Sequence, residues 1–365
     1  MPECIVVGGG VIGLLTARQL FLDGVDVLLL EKGALGGESS WAGGGIISPL
    51  YPWRYSDAVN VLAQRSKKDY PDLVEQLYEE TGKDCELITS GLFTVVDENP
   101  DIQKMILDWA GKWSVDASYI ANKNEIFEIE NTAGDAVDKG IWMPDVMQIR
   151  NPKLVAALKT SFDHLGIPYV EHCEVDEILT KNSIASAVRT KKQTYFAEKI
   201  IIASGAWSAQ FGVTKSSVNV IPIKGQMIMY QGAPDLVKRI ILSEGHYIIP
   251  RKDGRILAGS TLEKIGFDKS ISSSALDELH CAATELVPLL DGLTIERQWA
   301  GLRPGTKKGI PYICQHDEIE GLYIHAGHFR NGIVLGLASA RLMTDIVLGR
   351  KLWCDASPYT ITAQH

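Results

Sequence analysis

The chain has 365 residues, 45% of them hydrophobic and 22% charged, which is typical of a globular protein with a large core. Its formal net charge of −9 at pH 7 argues against nucleic acid as a partner, because phosphate backbones are bound by basic surfaces. No apolar run is long enough to span a bilayer and no basic leader precedes the first strand, so we expect a cytoplasmic protein without integral membrane association.

The N-terminal residues predict a βαβ unit that binds a dinucleotide. In chain order the unit consists of strand Cys4–Val7, the turn Gly8-x-Gly10-x-x-Gly13, helix Val11–Asp23 and strand Val25–Leu30. The three glycines permit a tight turn, close approach of a pyrophosphate and close packing of helix on strand. Glu31 can accept hydrogen bonds from a ribose diol, and its charge disfavours the 2′-phosphate of NADP. This unit alone leaves NAD and FAD as alternatives.

A glycine-rich stretch from Gly33 to Ile47 follows the second strand. So many glycines indicate backbone pressed against a ligand, with a plain loop as the alternative. Within the stretch, Ser39 and Ser40 are suited to cap the next helix or to bind phosphate.

The rest of the chain mixes helices and strands around this single nucleotide motif. Apolar spacing predicts helices at 57–82, Asn151–Gly166, Ala275–Leu289 and Gly332–Val347. It predicts strands near 91–96 and 139–142, at Tyr169–Glu171, Cys173–Ile178, Val220–Ile223, Met227–Tyr230, His246–Pro250, Ile256–Ala258 and Gly321–His325, and from Lys199 to a break at Gly205. Asp253-Gly254 is typical of a hairpin tip. We therefore expect a nucleotide-binding domain interleaved with a β-rich second domain.

Four later motifs identify a family. Ile200–Ser208 (IIIASGAWS), Tyr247–Arg251 (YIIPR), Trp299–Thr306 (WAGLRPGT) and Gly327–Ile333 (GHFRNGI) occur in order after the glycine turn. Together they closely resemble the FAD-dependent amine oxidases of the D-amino-acid oxidase type, over residues 3 to about 350.

This resemblance implies an α/β (α+β) fold arranged as in D-amino-acid oxidase and p-hydroxybenzoate hydroxylase. A Rossmann-like FAD-binding domain would comprise residues 1–85, 145–218 and 304–365. A second domain, which places an antiparallel sheet over the substrate, would comprise residues 86–144 and 219–303.

The resemblance also implies which residues hold a non-covalent FAD and the substrate. Together with the glycine turn, the cofactor residues are Gly8, Gly10, Val11, Ile12, Gly13, Glu31, Lys32, Ser39, Ser40, Gly44, Gly45, Ile46, Val175, His328, Phe329, Arg330, Asn331, Gly332, Ile333 and Val334. The substrate residues are Tyr247, Leu262, Arg303 and Arg330. The helix that starts at Gly332 would direct its N–H groups and dipole at negative charge on the flavin.

The chemistry of these side chains supports the substrate assignment. An arginine clamps a carboxylate bidentately, and we predict that Arg303 does so from a rigid turn formed with Pro304. An interdomain salt bridge is the alternative for Arg303, a role in holding its turn for Arg330, and a core position for Tyr247. Leu262 stands where the family's pocket often has methionine, a change that roughly conserves volume.

The implied activity is oxidative deamination of a small amino acid. Hydride passes to flavin N5, O₂ is reduced to H₂O₂, and the imine hydrolyses or enters thiazole synthesis for thiamine, without a protein acid or base at the C–H step. Glycine, sarcosine, D-alanine and D-proline are candidate substrates, and the loop Leu242–His246 bears on that choice. The resemblance suggests a homo-oligomer, with a tetramer as one form. The alternatives are a D-amino-acid dehydrogenase that reduces a quinone and a flavin-binding protein without turnover.

Other conspicuous residues have plainer interpretations. His325 and His328 lie three apart without further ligand spacing, so packing or flavin contact is favoured over a metal site. The six cysteines form no CxxC pair, and we predict no covalent flavin link through Cys314. Trp299 is interpreted as a packing residue. Lys224 is suited to electrostatic activation of oxygen, but we predict a solvated turn for it.

Overall fold

Residues 1–96 and 99–363 are described by a computed structural model of the chain. The strands are β1 (Cys4–Val7), β2 (Val27–Leu30), β3 (Ile88–Thr89), β4 (Leu92–Val95), β5 (Ser118–Ile120), β6 (Gly140–Met143), β7 (Met147–Gln148), β8 (Tyr169–Val170), β9 (Val175–Lys181), β10 (Ile184–Thr190), β11 (Thr194–Phe196), β12 (Lys199–Ile202), β13 (Ile221–Gln231), β14 (Ile240–Ser243), β15 (His246–Pro250), β16 (Arg255–Gly259), β17 (Thr294–Gly305), β18 (Tyr312–Gln315) and β19 (Leu322–Ala326).

The helices are α1 (Val11–Leu22), α2 (Ser39–Ala42), α3 (Asp57–Thr81), α4 (Pro100–Trp113), α5 (Lys123–Ile129), α6 (Asn151–Leu165), α7 (Ser273–Leu286) and α8 (Gly332–Val347). Short 3₁₀ turns lie at Pro52–Arg54, Gly205–Trp207, Pro288–Gly292, Phe329–Asn331 and Ser357–Tyr359. In the described part of the chain, none of the helices combines the length and the apolar character needed to cross a bilayer.

A six-stranded sheet carries the N-terminal βαβ unit. Its order is β18-β19-β12-β1-β2-β8, with β1 pairing in parallel with β12 and β2, and β18 antiparallel at the edge. Apolar residues of α1, α3, α6 and α8 pack on one face, and those of β9–β11 pack on the other. Because both faces are covered, all four residues of Cys4–Val7 are buried. The expected Rossmann-like arrangement is confirmed.

An eight-stranded sheet forms the second layer, in the order β17-β13-β16-β15-β14-β4-β6-β5. Its pairs are antiparallel except β4 with β14, which run parallel. Helix α7 contributes Leu279, Ala283 and Leu286 to the core beneath this sheet. The expected antiparallel sheet is thus confirmed with one parallel pair, while the exact domain boundaries stay a prediction.

Several elements differ from the predicted ones. The predicted strands Val220–Ile223 and Met227–Tyr230 are joined, from Ile221 onward, in one strand of 11 residues, β13, which pairs along its whole length with β17. No strand was expected at β17, since Pro304-Gly305 is typical of a turn. Pro304 is tolerated because β17 lies at the sheet edge. Helix α4 was also missed, although the Asn99 side chain caps it by accepting from the N–H of Asp101 at 3.0 Å.

Candidate active site

A cavity of about 380 Å³ lies where the carboxyl ends of β1, β12 and β19 meet residues of β13, β15 and β17. Open α/β sheets bind their ligands at this edge. The predicted site residues that line it are Gly8, Gly10, Val11, Ile12, Glu31, Lys32, Ser39, Ser40, Gly44, Gly45, Ile46, Val175, Tyr247, Arg303, His328, Phe329, Arg330, Gly332 and Ile333. The fold therefore brings together residues that are far apart in the chain.

Four predicted residues lie off the cavity wall. A Cβ on Gly13 would stand 1.8 Å from the Gly8 carbonyl oxygen, so Gly13 serves helix–strand packing. Asn331 and Val334 are each 2% exposed and lie behind the lining residues. Leu262 is 49% exposed and is not part of the cavity wall, so its placement in the pocket is corrected. The chain turns outward after β16 and carries this side chain to the surface.

The glycine turn leads into a polar cradle at the start of α1. Gly8 has φ +115°, and a Cβ there would lie 2.5 Å from the Ala203 carbonyl oxygen. Ser40 Oγ accepts a hydrogen bond from the N–H of Val11 at 2.8 Å, so it caps α1 rather than α2, the helix in which it lies. Asn151 fixes this arrangement by donating from Nδ2 to the Ser40 carbonyl at 2.9 Å. The N-terminus of α1 thus faces the cavity among small polar groups, which suits a phosphate.

Glu31 is held rigidly beside this cradle. Its Oε2 accepts from the N–H of Gly9 at 2.6 Å and its Oε1 from the N–H of Gly33 at 2.7 Å. Each carboxylate oxygen keeps a further lone pair, which can accept a hydroxyl of a ribose. The next residue, Lys32, places Nζ 3.0 Å from the ring centroid of Trp207, and burial lowers the pKa of this lysine.

Arg303 lies at the other side of the cavity, in β17 rather than in the predicted turn. Its Nη1 donates to the carbonyls of Thr261 at 3.1 Å and Lys224 at 3.3 Å, and its Nη2 donates to Ser260 Oγ at 2.7 Å. These neutral acceptors fix the guanidinium without neutralising it. Among the described residues, no carboxylate forms an ion pair with it, so the alternative of an interdomain salt bridge finds no support there.

A second arginine, Arg330, lines the same cavity. Its Nε is buried and has no hydrogen-bond partner within residues 1–96 and 99–363. Burial lowers the pKa of Arg303, Tyr247 raises it, and the positive charge of Arg330 lowers it again. Two guanidinium groups close enough to repel each other therefore favour an anionic ligand between them.

Tyr247 projects from β15 toward these arginines. Tyr247 is 6% exposed, and its hydroxyl lies 3.7 Å from Met227 Sδ, a weak acceptor. A Cβ on Gly44 would stand 3.3 Å from the Tyr247 ring, so the backbone of the glycine-rich stretch packs directly against this tyrosine. Tyr247 is therefore buried, as its alternative core position predicted, and it also lines the cavity.

Two buried histidines also line the cavity, and their hydrogen bonds define their tautomers. Thr16 donates its hydroxyl proton to the Ile12 carbonyl at 2.7 Å, so His325 Nδ1, 2.9 Å from that hydroxyl, must be the donor to it. His325 Nε2 is then a bare acceptor, and it has no partner among the described residues.

The neighbouring ring of His328 lies 5.1 Å from that of His325, measured between centroids. Burial lowers the pKa of His325 strongly and that of His328 to about 3. Both rings are neutral at pH 7 as a result. No group of three or more metal-ligating side chains is found in the described part of the chain.

Lys224 was predicted to lie in a solvated turn, and that prediction was wrong. It belongs to β13, is 3% exposed, and pairs with Glu263 at 3.3 Å and Asp268 at 3.4 Å. The burial follows from backbone pairing on both sides of Lys224, with Leu302 of β17 and, through an antiparallel bridge, with Glu263. Its charge is therefore compensated, unlike that of Arg303.

Three residues of the site were missed from the sequence. Ser260 orients Arg303, Asn151 fixes Ser40, and Arg251 donates to the Gly44 carbonyl at 2.8 Å. Arg251 ends the YIIPR motif, the one sequence signal that pointed to it.

The six cysteines are free thiols, and burial raises the pKa of Cys314 to about 12.

The chemistry of the cavity fits FAD. A helix N-terminus and a carboxylate at one side suit the phosphates and ribose of a dinucleotide. The bare acceptor His325 Nε2 and the unpaired donor Arg330 Nε offer buried polar partners further along the wall. Gly10, Gly44 and Gly301 contribute backbone to the wall.

Comparisons with known proteins agree with this geometry. Residues 3–346 match the family model described as FAD dependent oxidoreductase, DAO. The chain is 41% identical to a protein named glycine oxidase of Pseudomonas putida, over 98% of this chain and 97% of that protein. It is similar to the crystal structure of glycine oxidase from Geobacillus kaustophilus, with a TM-score of 0.93, 31% identity, and 99% and 98% of the two chains covered.

A third relative links the chain to a larger protein. It is 28% identical to the protein named bifunctional protein ThiO/ThiG of Trichormus variabilis, over 96% of this chain but 53% of that protein. With the family model matched over most of the chain, these findings decide the classification. The chain belongs to the FAD-dependent oxidoreductases of the D-amino-acid oxidase type and is an FAD-dependent amino-acid oxidase.

Proposed function

We propose that this enzyme catalyses the oxidative deamination of glycine, and of small amines such as sarcosine and small D-amino acids, with O₂ as the electron acceptor. One observation carries the proposal: Arg303 is fixed by three neutral acceptors on the cavity wall and keeps its charge for a ligand. Relatives named glycine oxidase, similar over nearly the whole chain, support glycine as the first substrate to test.

Arg303 and Tyr247 have the chemistry to hold the substrate carboxylate. The guanidinium provides two parallel N–H donors and the phenol adds an O–H donor, a set that a carboxylate accepts with little reorganisation. Arg330 adds positive charge at the same side of the cavity. Fixing the carboxylate orients the α-carbon, and correct orientation of the reacting groups is a large part of catalysis.

The protein contributes no acid or base to the C–H step in this proposal. The carboxylates that line the cavity are Glu31, Glu38, Glu174 and Asp176, and none of them lies on β13, β15 or β17. FAD held by the cradle at the start of α1 and by Glu31 would supply the redox chemistry, as an acceptor of the substrate's hydride and a donor of two electrons to O₂. Overall, glycine, O₂ and water yield glyoxylate, ammonia and H₂O₂.

The imine formed before hydrolysis has a second use in this proposal. A relative named bifunctional protein ThiO/ThiG supports a role in supplying the glycine imine for thiamine thiazole synthesis.

The test is a comparison of electron acceptors with glycine as donor. We expect glycine-dependent O₂ consumption with one H₂O₂ released per ammonia, for glycine and at different rates for sarcosine and D-alanine. Rapid dye or quinone reduction with negligible H₂O₂ would contradict the oxidase proposal and favour the dehydrogenase. Absence of flavin reduction by every amine would contradict both.

A further inference from the structure

Arg251 is a buried arginine for which the proposed reaction has no use. It follows β15 in the hairpin that leads to β16, and it is 7% exposed. Its Nη1 donates to Gln148 Oε1 at 2.7 Å and to the Ile149 carbonyl at 3.3 Å, while its Nη2 donates to the Gly44 carbonyl at 2.8 Å. Gly44 lines the cavity, whereas Arg251 stands behind the wall.

All three acceptors are neutral. The nearest acids are engaged elsewhere, Asp253 with Arg150 and Arg255, and Glu86 with Arg150 and Lys153. Within the described ranges, no carboxylate pairs with the Arg251 guanidinium. A buried cation without a counterion costs free energy, and burial lowers the pKa of Arg251 to about 10. We therefore infer that Arg251 is useful to the protein because its guanidinium holds Gln148, Ile149 and Gly44 in place.

Those groups belong to two segments that meet at the cavity wall. The N–H of Ile149 donates to the Gly45 carbonyl at 2.8 Å, and Ile46 forms an antiparallel bridge with Gln148. Gly45 has φ +74°, and a Cβ there would stand 2.0 Å from the Ile149 carbonyl oxygen. The two segments therefore pack so closely that position 45 has no room for a side chain. From the hairpin, the Arg251 side chain donates hydrogen bonds to both segments.

The same hairpin carries the substrate residue Tyr247, four positions before Arg251. Gly44 packs on the ring of Tyr247 and on Ile249, whose Cδ1 would lie 2.6 Å from a Cβ at position 44. A shift of the Gly44 backbone would therefore change both the cofactor side of the cavity and the position of Tyr247.

We propose that Arg251 is a positioning residue, whose guanidinium fork fixes the Gly44–Ile46 backbone for FAD binding and keeps it in register with Tyr247. The inference rests on the FAD site and not on the choice of amine. An arginine is required because a lysine ammonium has no planar fork with which to engage carbonyls of two segments at once.

The experiment measures FAD binding to the apoprotein by quenching of flavin fluorescence, beside the unfolding temperature of the same apoprotein. The variants are Arg251→Lys, which keeps the charge, Arg251→Met, which removes it, and Gln148→Leu, which removes one acceptor. Arg255→Met is the matched control, because Arg255 lies in the same hairpin but pairs with Asp253 and Glu296.

We expect the Kd for FAD to rise about tenfold or more in Arg251→Lys and Arg251→Met, and about threefold in Gln148→Leu. Arg255→Met should bind FAD within about twofold of the parent protein. Where the Arg251 variants do not fold, Gln148→Leu decides the question by the same measurement.

Two results would overturn the proposal. If the variants lower the unfolding temperature but bind FAD like the parent, Arg251 is structural only. If Arg251→Lys binds FAD normally while Arg251→Met does not, charge and not the fork is what matters. A parent protein that fails to oxidise glycine would leave this test intact, because the readout is FAD binding.

Discussion

Arg303 and Arg330 differ in how the protein holds them, and the difference predicts different parts in substrate binding. Arg303 makes three hydrogen bonds to neutral acceptors, so its orientation is set before a ligand arrives. Arg330 is buried with Nε unpaired, and its guanidinium carbon lies 5.4 Å from the ring centroid of Phe329. We infer that Arg303 is the fixed clamp and Arg330 the partner that gains a hydrogen bond on binding.

Replacing Arg303 by lysine tests the clamp. The ammonium keeps the charge but loses the fork, and truncating one partner of a buried charge pair costs about 2–5 kcal/mol. We expect kcat/KM for glycine to fall about 100-fold, mainly through KM, while FAD stays bound. Steady-state kinetics check this beside Arg255→Lys, whose ion pairs are at the surface. An unchanged KM in Arg303→Lys would remove Arg303 from substrate binding.

Tyr247→Phe isolates the contribution of one hydroxyl. Since that hydroxyl lies 3.7 Å from Met227 Sδ, a weak acceptor, its loss leaves little unsatisfied in the free enzyme. A neutral hydrogen bond to the substrate contributes about 1 kcal/mol, so KM for glycine should rise about fivefold. An equally weakened affinity for FAD and glycine would show that the tyrosine acts through packing on Gly44 instead.

Between elements, the close contact of β13 with β17 sets the position of the Arg303 side chain. A Cβ on Gly225 would lie 2.1 Å from Arg303 Nη1, so this glycine in β13 leaves the space that the guanidinium fills. We expect Gly225→Ala to raise KM for glycine about tenfold without removing any charged group. Gly111→Ala is the control, since nothing lies within 4 Å of a Cβ there. Equal kinetics in both variants would contradict the steric argument.

Two buried histidines, one in β19 and one in the connection from β19 to α8, predict a pH dependence of stability. His325 and His328 have folded-state pKa values lowered below the unfolded value of 6.5, that of His328 to about 3, so the unfolded chain binds more protons as the pH falls. Stability is therefore retained above about pH 6.5 and lost as pH falls below it. Each histidine should lower the free energy of unfolding by about 1.4 kcal/mol between about pH 7.5 and pH 5.5.

Urea unfolding at the two pH values checks this. His328→Gln should show a pH dependence smaller by about the contribution of one proton, whatever its stability at neutral pH. The same pH dependence in the variant and the parent would contradict a neutral, buried His328.

Across the whole molecule, the features that could be predicted from the sequence are those encoded by residues close together in the chain. The βαβ unit was predictable because its turn, helix and buried strands are each encoded within about 30 residues. Its second strand nevertheless begins at Val27 and not at Val25. Arg303 was recognised by its motif but placed in a turn, since pairing with β13 overrides the local preference of Pro304-Gly305.

Residues whose role depends on distant partners were harder to predict. The burial of Lys224 depends on sheet pairing, which its own neighbours in the sequence do not encode. Arg251 reaches Gly44, 207 positions away in the chain. Contacts of this length are decided by the packing of the two sheets, which no local pattern reports.

Oxidation of glycine by the bound flavin is tested most directly by the visible spectrum of the purified holoenzyme, recorded without oxygen before and after glycine is added. We expect glycine to bleach the bound-flavin band, and admission of air to restore the band with release of H₂O₂. A flavin band that glycine leaves unchanged, in a protein that a strong reductant such as dithionite does bleach, would contradict the proposed glycine oxidation.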